Sequence, residues 1–265
     1  MALFTDITLG QYFPADSPVH RLDPRTKLLA GMLLMTGLII SVHGVVLLAL
    51  TLTLVTTIYL AKLPGGLVIR NLRPFLWLFL LTLFIHLFWT SGRILYRLPV
   101  LNLDITWEGL QLGLRYTIRL SLFIVLATIL TLTTSPMEIM DALERFGRPF
   151  KRFHLPVHEL TMMLSLSLRF IPTLLEEALR IRNAQMSRGA AFEGSLVNKV
   201  RNMVPLILPL FISAFRRADE LAYAMDSRSY NGGEGRTSYS RLCFRRPDGL
   251  ALAAAALIFA VCLAV

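Results

Sequence analysis

The chain has 265 residues, of which 55% are hydrophobic and 17% are charged, and its mean hydropathy is +0.60. Soluble domains carry about a quarter charged residues, so this composition excludes an ordinary soluble enzyme, a disordered chain and, with two cysteines, a disulfide scaffold. The 23 Arg and 4 Lys outnumber 17 acidic residues and give a net charge of +10; nucleic-acid binders are basic but polar, whereas this basic and apolar chain is typical of an integral membrane protein.

The first apolar run covers residues 28–61 and contains no Lys, Arg, Asp or Glu. As a single helix it would be about 51 Å long, whereas a bilayer's hydrocarbon core is roughly 30 Å thick. We therefore expect two short helices that turn at His43 and Gly44, the polar and flexible interruption of the run. The sequence predicts an all-α integral membrane protein with about five transmembrane helices. The other three predicted spans are residues 75–91, 111–133 and 249–265.

The basic residues predict how these spans are oriented. Three segments, 1–27, 62–74 and 134–248, carry 23 of the 27 Lys and Arg residues, and basic loops favour the cytoplasmic side. The N-terminus and segment 134–248 are therefore predicted to be cytoplasmic. Arg115 and Arg119 fall within the fourth span and must snorkel or pair. The predicted organisation is a membrane domain of four spans (1–133), a cytoplasmic helical module (134–248) and a C-terminal span (249–265).

The cytoplasmic module has the signals of three helices. Ser135 and Glu138 fit a capping box at the start of the first helix. We expect Pro172 to kink the second helix, and Pro205 and Pro209 to interrupt the third. The predicted helices cover residues 135–147, 157–188 and 195–228.

One stretch of the third helix, residues 203–215, is apolar nearly all round but too short to span a membrane. It is either a buried core helix or a surface that binds a membrane partner, because the module is small for burying so much apolar area. The candidate partner-binding residues are Met203, Pro205, Leu206, Pro209 and Leu210.

The ends of the second and third module helices carry the same short string. Residues 184–189 read Ala-Gln-Met-Ser-Arg-Gly, and residues 224–229, which lie 40 positions later, read Ala-Met-Asp-Ser-Arg-Ser. Ala and Arg four residues apart share a helix face, and the small Ala lets another backbone approach. The candidate functional residues of the two strings are Ala184, Ser187, Arg188, Gly189, Ala224, Ser227, Arg228 and Ser229.

Two uses of these arginines remain open. An Arg in the last turn complements the negative end of the helix dipole, and Gly189 is a natural C-cap, so each string can simply stabilise its own helix end. Alternatively, each helix end inserts into a cleft of an acidic cytoplasmic partner, where the five donors of the guanidinium bind carboxylates and carbonyls together. Two such ends suggest a partner with two equivalent clefts.

These strings, with three others, resemble one known family over almost the whole chain. The others are Asp6–Tyr12, His20–Lys27 and Leu168–Pro172. Together they are similar to the transmembrane T component of energy-coupling factor transporters, the EcfT type of the EcfT/CbiQ family. Ser229 departs from the family's pattern, which often has Gly at that position.

The resemblance implies a non-catalytic subunit of a prokaryotic cell-membrane importer. Its partners would be two cytoplasmic ABC-type ATPases and a separate substrate-binding membrane protein, the S component, for a vitamin or other micronutrient. Arg188 and Arg228 would sit in grooves of the two ATPases and transmit their movements. The ATPases would bind ATP and Mg, so this chain needs no cofactor, and it would contact the lipid bilayer but no nucleic acid. The Asp6–Tyr12 string is similar to the type that serves several S components.

Other classes fit the residues less well. A P-loop ATPase needs Gly-Lys followed by Ser or Thr, and the dipeptide Gly-Lys is absent from the sequence. His154 and His158 alone have helical spacing among the five histidines, and Pro156 lies between them, so a metal site is not favoured. Adjacent Glu176 and Glu177 point in different directions, which favours a solvated face or pairing with Arg180.

Two alternatives from other classes remain. A permease that forms the substrate path itself would carry a loop resembling Glu-Ala-Ala-x-x-x-Gly, whereas here Glu177 and Ala178 are followed by Leu179. An integral membrane enzyme would need convergent ionisable residues within its spans, and spans one, two, three and five have none beyond histidine.

Overall fold

We describe the fold from a computed structural model, which covers residues 12–41, 43–98, 103–153, 156–190, 196–232 and 243–264. Residues 6–11 of the opening string and His154 lie outside the described residues. The chain divides into two compact units, unit 1 (1–139 and 241–265) and unit 2 (140–240). Its elements are α1 (Pro24–Ile40), α2 (Gly44–Leu60), α3 (Gly65–Leu72), α4 (Leu76–Trp89), β1 (Ile94–Leu98), β2 (Leu103–Thr106), α5 (Trp107–Thr133), α6 (Pro136–Gly147), α7 (Val157–Ser187), α8 (Leu196–Asp226) and α9 (Arg246–Ala264).

The described chain is the all-α membrane protein that the composition predicts. Three helical stretches, Gly65–Trp89, Trp107–Thr133 and Arg246–Ala264, are long and apolar enough to cross a bilayer, and Gly44–Leu60 is a shorter apolar helix. The predicted turn in the first apolar run is confirmed, because α1 ends at Ile40 and α2 begins at Gly44. These two helices have 17 residues each, the short limit for a span, so the number of passes stays a prediction.

The core of unit 1 lies between α1, α2, α5 and α9. Leu38 of α1 and Leu50 of α2 are almost completely buried there, and Leu126 of α5 and Cys262 of α9 belong to the same cluster. Glycine allows α1 to approach α9 closely, since a Cβ on Gly37 would lie 3.1 Å from the Cys262 sulfur. A larger residue at this position would press on the Cys262 side chain, which would have to shift by a few tenths of an ångström.

A buried polar joint (Asp23, Lys27 and Asp248) connects the ends of three helices in unit 1. Asp248 is 1% exposed, and its two carboxylate oxygens accept hydrogen bonds of 2.8 Å from the backbone N–H groups of Asp23 and Arg245. The Lys27 ammonium donates to the carbonyl of Thr133 at the end of α5. Buried polar groups must be satisfied in this way, so the His20–Lys27 string has a structural role in joining α1, α5 and α9.

Arg119 pairs within the membrane unit, as its position in a span requires. Its guanidinium donates to the Ser41 carbonyl at the end of α1, and it lies 5.2 Å from the centre of the Tyr116 ring. The cation therefore meets the negative end of a helix dipole and an aromatic face. Arg115 is exposed.

Two features of unit 1 differ from the expected all-helical pattern. Ile94–Leu98 and Leu103–Thr106 form an antiparallel hairpin, in a segment between two predicted spans for which the sequence predicts no strand. The fourth span begins at Trp107 instead of residue 111, because the Thr106 hydroxyl accepts from the Gly109 N–H and caps the helix one turn earlier.

The three helices predicted for residues 135–228 are present with nearly the expected ends. The capping box at Ser135 and Glu138 is confirmed by two reciprocal hydrogen bonds of 3.2 and 3.3 Å. The expected interruption of the third helix is wrong, since α8 is continuous through Pro205 and Pro209. The two prolines are one turn apart on the same face, so the backbone hydrogen bonds on the opposite face still connect the two halves.

Candidate functional site

The C-terminal end of α7 closes in a Schellman motif, in which a residue of left-handed conformation lets two backbone N–H groups turn back onto the helix. Gly189 has φ +88°, and its N–H donates to the Met186 carbonyl at 3.0 Å. The next N–H, that of Ala190, donates to the Gln185 carbonyl at 3.0 Å. Arg188 is the last residue before the turn.

The end of α8 has the same backbone geometry. Ser229 has φ +57°, and its N–H donates to the Asp226 carbonyl at 2.8 Å. The Tyr230 N–H donates to the Met225 carbonyl at 3.1 Å. Arg228 therefore occupies the place of Arg188, and Ser229 takes a conformation that favours glycine. The two repeated strings are equivalent in structure as well as in sequence.

The serines of the two strings form hydrogen bonds with their own helices, whereas the arginines have no partner among the described residues. The Ser187 and Ser227 hydroxyls donate to carbonyls of their own last turns. Both arginines are exposed, and within the described part of the chain neither guanidinium has a hydrogen bond or ion pair. Ala184 and Ala224 are exposed too. Both helix ends therefore present a small residue and a cation to solvent.

α7 and α8 contact each other at equivalent positions. The Arg217 guanidinium of α8 donates to the Glu177 carboxylate of α7 at 3.0 Å, whereas the sequence favoured a solvated face or pairing with Arg180. The sequence does not indicate this ion pair, because only the packing of α7 against α8 brings Arg217 next to Glu177. Each member of this ion pair precedes its string's arginine by 11 residues, about 16 Å along the helix. The two ends thus extend equally far from one contact.

The α8 end is also held against the first half of α7. The Tyr230 hydroxyl donates to the Met162 sulfur at 3.1 Å. Arg228 and Arg169 line the same cleft, which has a volume of about 770 Å³. Arg169 lies 19 residues before Arg188, or about 28 Å along α7. The Arg188 and Arg228 ends therefore lie at opposite ends of the helix pair.

Sequence reasoning did not place Arg169 and Tyr230 at the site. Arg169 belongs to the Leu168–Pro172 string, which gave a family resemblance but no role. Its place beside Arg228 puts two cations in one cleft, which favours an acidic occupant. Tyr230 follows directly after the second string, so only the fold reveals its contact with α7.

The apolar stretch of α8 is exposed in the described chain, so it is not a buried core helix. We name four of its residues the apolar ridge: Val204, Leu208, Phe211 and Phe215, which are 57–61% exposed. Of the predicted partner-binding residues, Met203, Pro205 and Pro209 are exposed, whereas Leu206 and Leu210 are half-buried. The composition of the stretch could not distinguish its exposed side from its half-buried side because both are apolar.

Two histidines have local partners. The His158 ring nitrogen Nδ1 lies 3.1 Å from a Glu144 carboxylate oxygen. His86 is bonded to the Thr82 carbonyl at 2.8 Å through Nδ1 and stacks on the Tyr116 ring at 4.7 Å. His86 is therefore a packed polar residue of α4.

Comparisons with known proteins agree with the resemblance. The family model CbiQ, described as "Cobalt transport protein", matches residues 15–239. Proteins named "Energy-coupling factor transporter transmembrane protein EcfT" are 47% identical in Heliobacterium modesticaldum, over 98% of both chains, and 46% identical in Acidaminococcus fermentans, over 94% of this chain and 92% of the relative. The protein of that name in Bacillus subtilis is 40% identical over 93% of both chains. These matches over nearly the full length show that the chain belongs to the CbiQ/EcfT family of energy-coupling factor transporter transmembrane proteins.

Proposed function

We propose that this chain transmits ATP-driven movements from two cytoplasmic ATPase subunits to an S component that binds a vitamin or other micronutrient. The N-terminus and unit 2 lie on the cytoplasmic side in this proposal, as the distribution of basic residues favours. The chain itself catalyses nothing, and the ATPases hold ATP and Mg.

The observation that carries the proposal is the equivalence of the two helix ends. Arg188 and Arg228 occupy the same place in two Schellman motifs, and each lies 11 residues from the Glu177–Arg217 contact. A pair of equivalent, protruding cations suits a pair of equivalent ATPase subunits. The backbone and the serines already satisfy each helix end, so the arginines are left available for a partner.

The chemistry of each end favours a groove that contains carboxylates and carbonyls. Arg presents five donors in a fixed fork and stays charged at physiological pH. At the α8 end, Arg169 adds a second cation to the cleft that Arg228 lines. We expect an acidic segment of one ATPase to bind there.

The apolar ridge is the proposed contact for the S component. Four exposed apolar residues along one helix, repeated at a spacing of three or four, form a surface that water disfavours. An apolar membrane partner would cover it. The ridge moves together with the α8 end because both belong to one continuous helix, and this rigid connection would couple ATPase movement to the S component.

Charge reversal tests the ATPase contact. The double variant Arg188→Glu, Arg228→Glu should lose co-purification of the ATPases, because each substitution replaces a favourable charge with a repulsive one. The matched control is Arg180→Glu, Arg216→Glu, which makes the same change of charge at exposed positions of the same helices. Retention of the ATPases by the first variant, or loss from both variants, would contradict the proposal.

A polar substitution on the ridge tests the S-component contact. Leu208→Asn should weaken S-component capture about tenfold, because it removes an exposed apolar contact of roughly 1–2 kcal/mol. Leu206→Asn, on the half-buried side of the same turn, should weaken capture less. Quantitative pull-down of the S component from membranes that also contain the ATPases measures both. Equal capture by Leu208→Asn and the unaltered chain would remove the ridge from the proposal.

A further inference from the structure

A basic pocket lies in unit 1, where α1 and α9 begin and α2 ends. It has a volume of about 480 Å³ and is lined by three basic residues, Arg21, Lys62 and Arg245, and by two acidic residues, Asp16 and Asp248. Four of these residues lie outside the helices, and the fifth, Asp248, lies in the first turn of α9. In the predicted topology, in which α1, α2 and α9 cross the bilayer, these positions are level with lipid headgroups on one side.

Both carboxylates of the pocket already have hydrogen-bond donors, and the three cations outnumber the two carboxylates by one. Both Asp16 oxygens accept from the Arg21 guanidinium, at 2.8 and 2.9 Å, and this pairing, with a smaller contribution from the charge of Lys62, lowers the pKa of Asp16. Both Asp248 oxygens accept from backbone N–H groups. Lys62 and Arg245 are exposed, and neither has a hydrogen-bonded side-chain partner in the described part of the chain. The pocket therefore offers two available cations to an anion.

Lys62 stands in a backbone conformation that favours glycine. Its φ is +53°, and its N–H and that of Leu63 donate to the carbonyls of Tyr59 and Ile58 in a Schellman motif at the end of α2. Glycine would adopt this conformation more easily. Residues held in such a conformation cluster at functional sites, and Lys62 lines the pocket.

An apolar groove adjoins the basic pocket. Three residues, Pro18, Leu22 and Pro247, line both the pocket and the groove. The groove has a volume of about 390 Å³ and follows α9 as far as Ile258, with Ala254 on its wall. From Pro247 to Ile258 the helix rises about 16 Å, which is roughly half of the hydrocarbon core.

We propose that the pocket and groove together bind one anionic phospholipid, whose phosphate contacts Lys62 and Arg245 and whose acyl chain lies in the groove. The charge of the pocket complements a phosphate. The groove is apolar, starts at headgroup level and extends to about the depth of one leaflet, as an acyl chain does. The adjoining Asp248 and Asp23 belong to the polar joint, so a lipid bound here would brace the point where α1, α5 and α9 meet.

Lipid titration of the purified full-length chain in a neutral detergent tests the charge requirement. Native mass spectrometry should show phosphatidylglycerol bound at one site with an affinity about tenfold above that for phosphatidylcholine, as expected for two basic contacts. Lys62→Gln with Arg245→Gln should abolish this preference. The matched control is Arg70→Gln with Arg73→Gln, which removes two exposed arginines of the same unit. An equal affinity for both lipids, or an unchanged preference in the first variant, would overturn the proposal.

Two further variants separate lipid binding from folding. Lys62→Gly should raise the melting temperature measured without lipid, because it relieves the positive φ, yet weaken phosphatidylglycerol binding several-fold. Ala254→Phe fills the groove and should weaken binding, whereas Ala253→Phe, at an exposed position on the same helix outside the groove, should not. Inorganic phosphate should not displace the lipid at millimolar concentration. Displacement of the lipid by phosphate, or unaltered lipid binding by Ala254→Phe, would show that the pocket recognises only the phosphate and that the groove holds no acyl chain.

Discussion

The ends of α7 and α8 share one backbone geometry but differ in how they are supported. Apart from its own chain neighbours, no described atom lies within 4 Å of the position that a Cβ would take at Gly189, so this position is open in the described part of the chain. The α8 end is tied to α7 by the bond from Tyr230 to Met162 and shares its cleft with Arg169. The left-handed residue is glycine at one end and the more restricted Ser229 at the other.

This difference teaches that two equivalent sequence strings need not be equivalent mechanically. Among the side chains that the structure describes there, Arg188 is the cation of the α7 end, and Gly189 adopts its turn without strain. The α8 end has two cations and a contact to the neighbouring helix. In the proposed function, the α8 end would hold its ATPase firmly, and the α7 end would adapt to its own ATPase as that subunit moves.

The largest expected effect concerns single charge reversals. Arg188→Glu should weaken retention of the ATPases by at least about thirtyfold, the effect of losing one charge-assisted contact of roughly 2 kcal/mol or more. Arg228→Glu should weaken it less, because Arg169 still lines the cleft. Binding of the purified ATPases to each immobilised variant gives both values.

The same measurement on Arg228→Glu combined with Arg169→Glu checks the cause of the difference. The combined variant should fall to the level of Arg188→Glu. Equal losses from the two single reversals would show that Arg169 does not support the α8 end.

A smaller effect is expected from exchanging the two left-handed residues. Ser229→Gly should stabilise the α8 turn and Gly189→Ser should destabilise the α7 turn, each by about 1 kcal/mol. Hydrogen exchange of the Tyr230 and Ala190 amides, which close the two turns, should slow and quicken respectively by about fivefold. Unchanged exchange in both variants would mean that neither φ value limits its turn.

The smallest effect is expected at the contact that the two helices share. The Glu177 and Arg217 side chains are 24% and 38% exposed, so neutralising either should cost at most about 1 kcal/mol of stability. Exchanging the two charges, with Glu177→Arg and Arg217→Glu, should restore the loss, as a thermal melt would show. If the exchange is as unstable as either single change, the contact depends on local geometry more than on charge.

Much of the fold could be predicted from the sequence because its signals are local. The capping box at Ser135, the turn at His43 and the ends of α7 and α8 follow from backbone rules that act within one or two turns. The sequence does not predict the hairpin at Ile94, because its two strands are short and depend on pairing with each other. The sequence overestimates the effect of Pro205 and Pro209. Each proline removes one backbone hydrogen bond, and because both lie on the same face of α8, the bonds on the opposite face keep the helix continuous.

The candidate site was predictable only in part for the same reason. The repeated string identified Arg188 and Arg228 because each lies at a helix end that the sequence marks. Arg169 comes to Arg228 through the packing of two helices, and no local pattern indicates that contact. Likewise, the apolar composition of residues 203–215 could not show that Leu208 is exposed and Leu206 half-buried, since that depends on where α7 packs.

A distance measurement between the two helix ends tests the central claim most directly. Spin labels at Asn183→Cys and Tyr223→Cys, in a chain with Cys243 and Cys262 changed to Ser, would lie five residues before the arginines at equivalent, exposed positions. In the assembled transporter, the distance distribution should shift when ATP and Mg are added, and Arg188→Glu with Arg228→Glu should abolish the shift. A distribution that stays the same with and without nucleotide would contradict transmission through these helices.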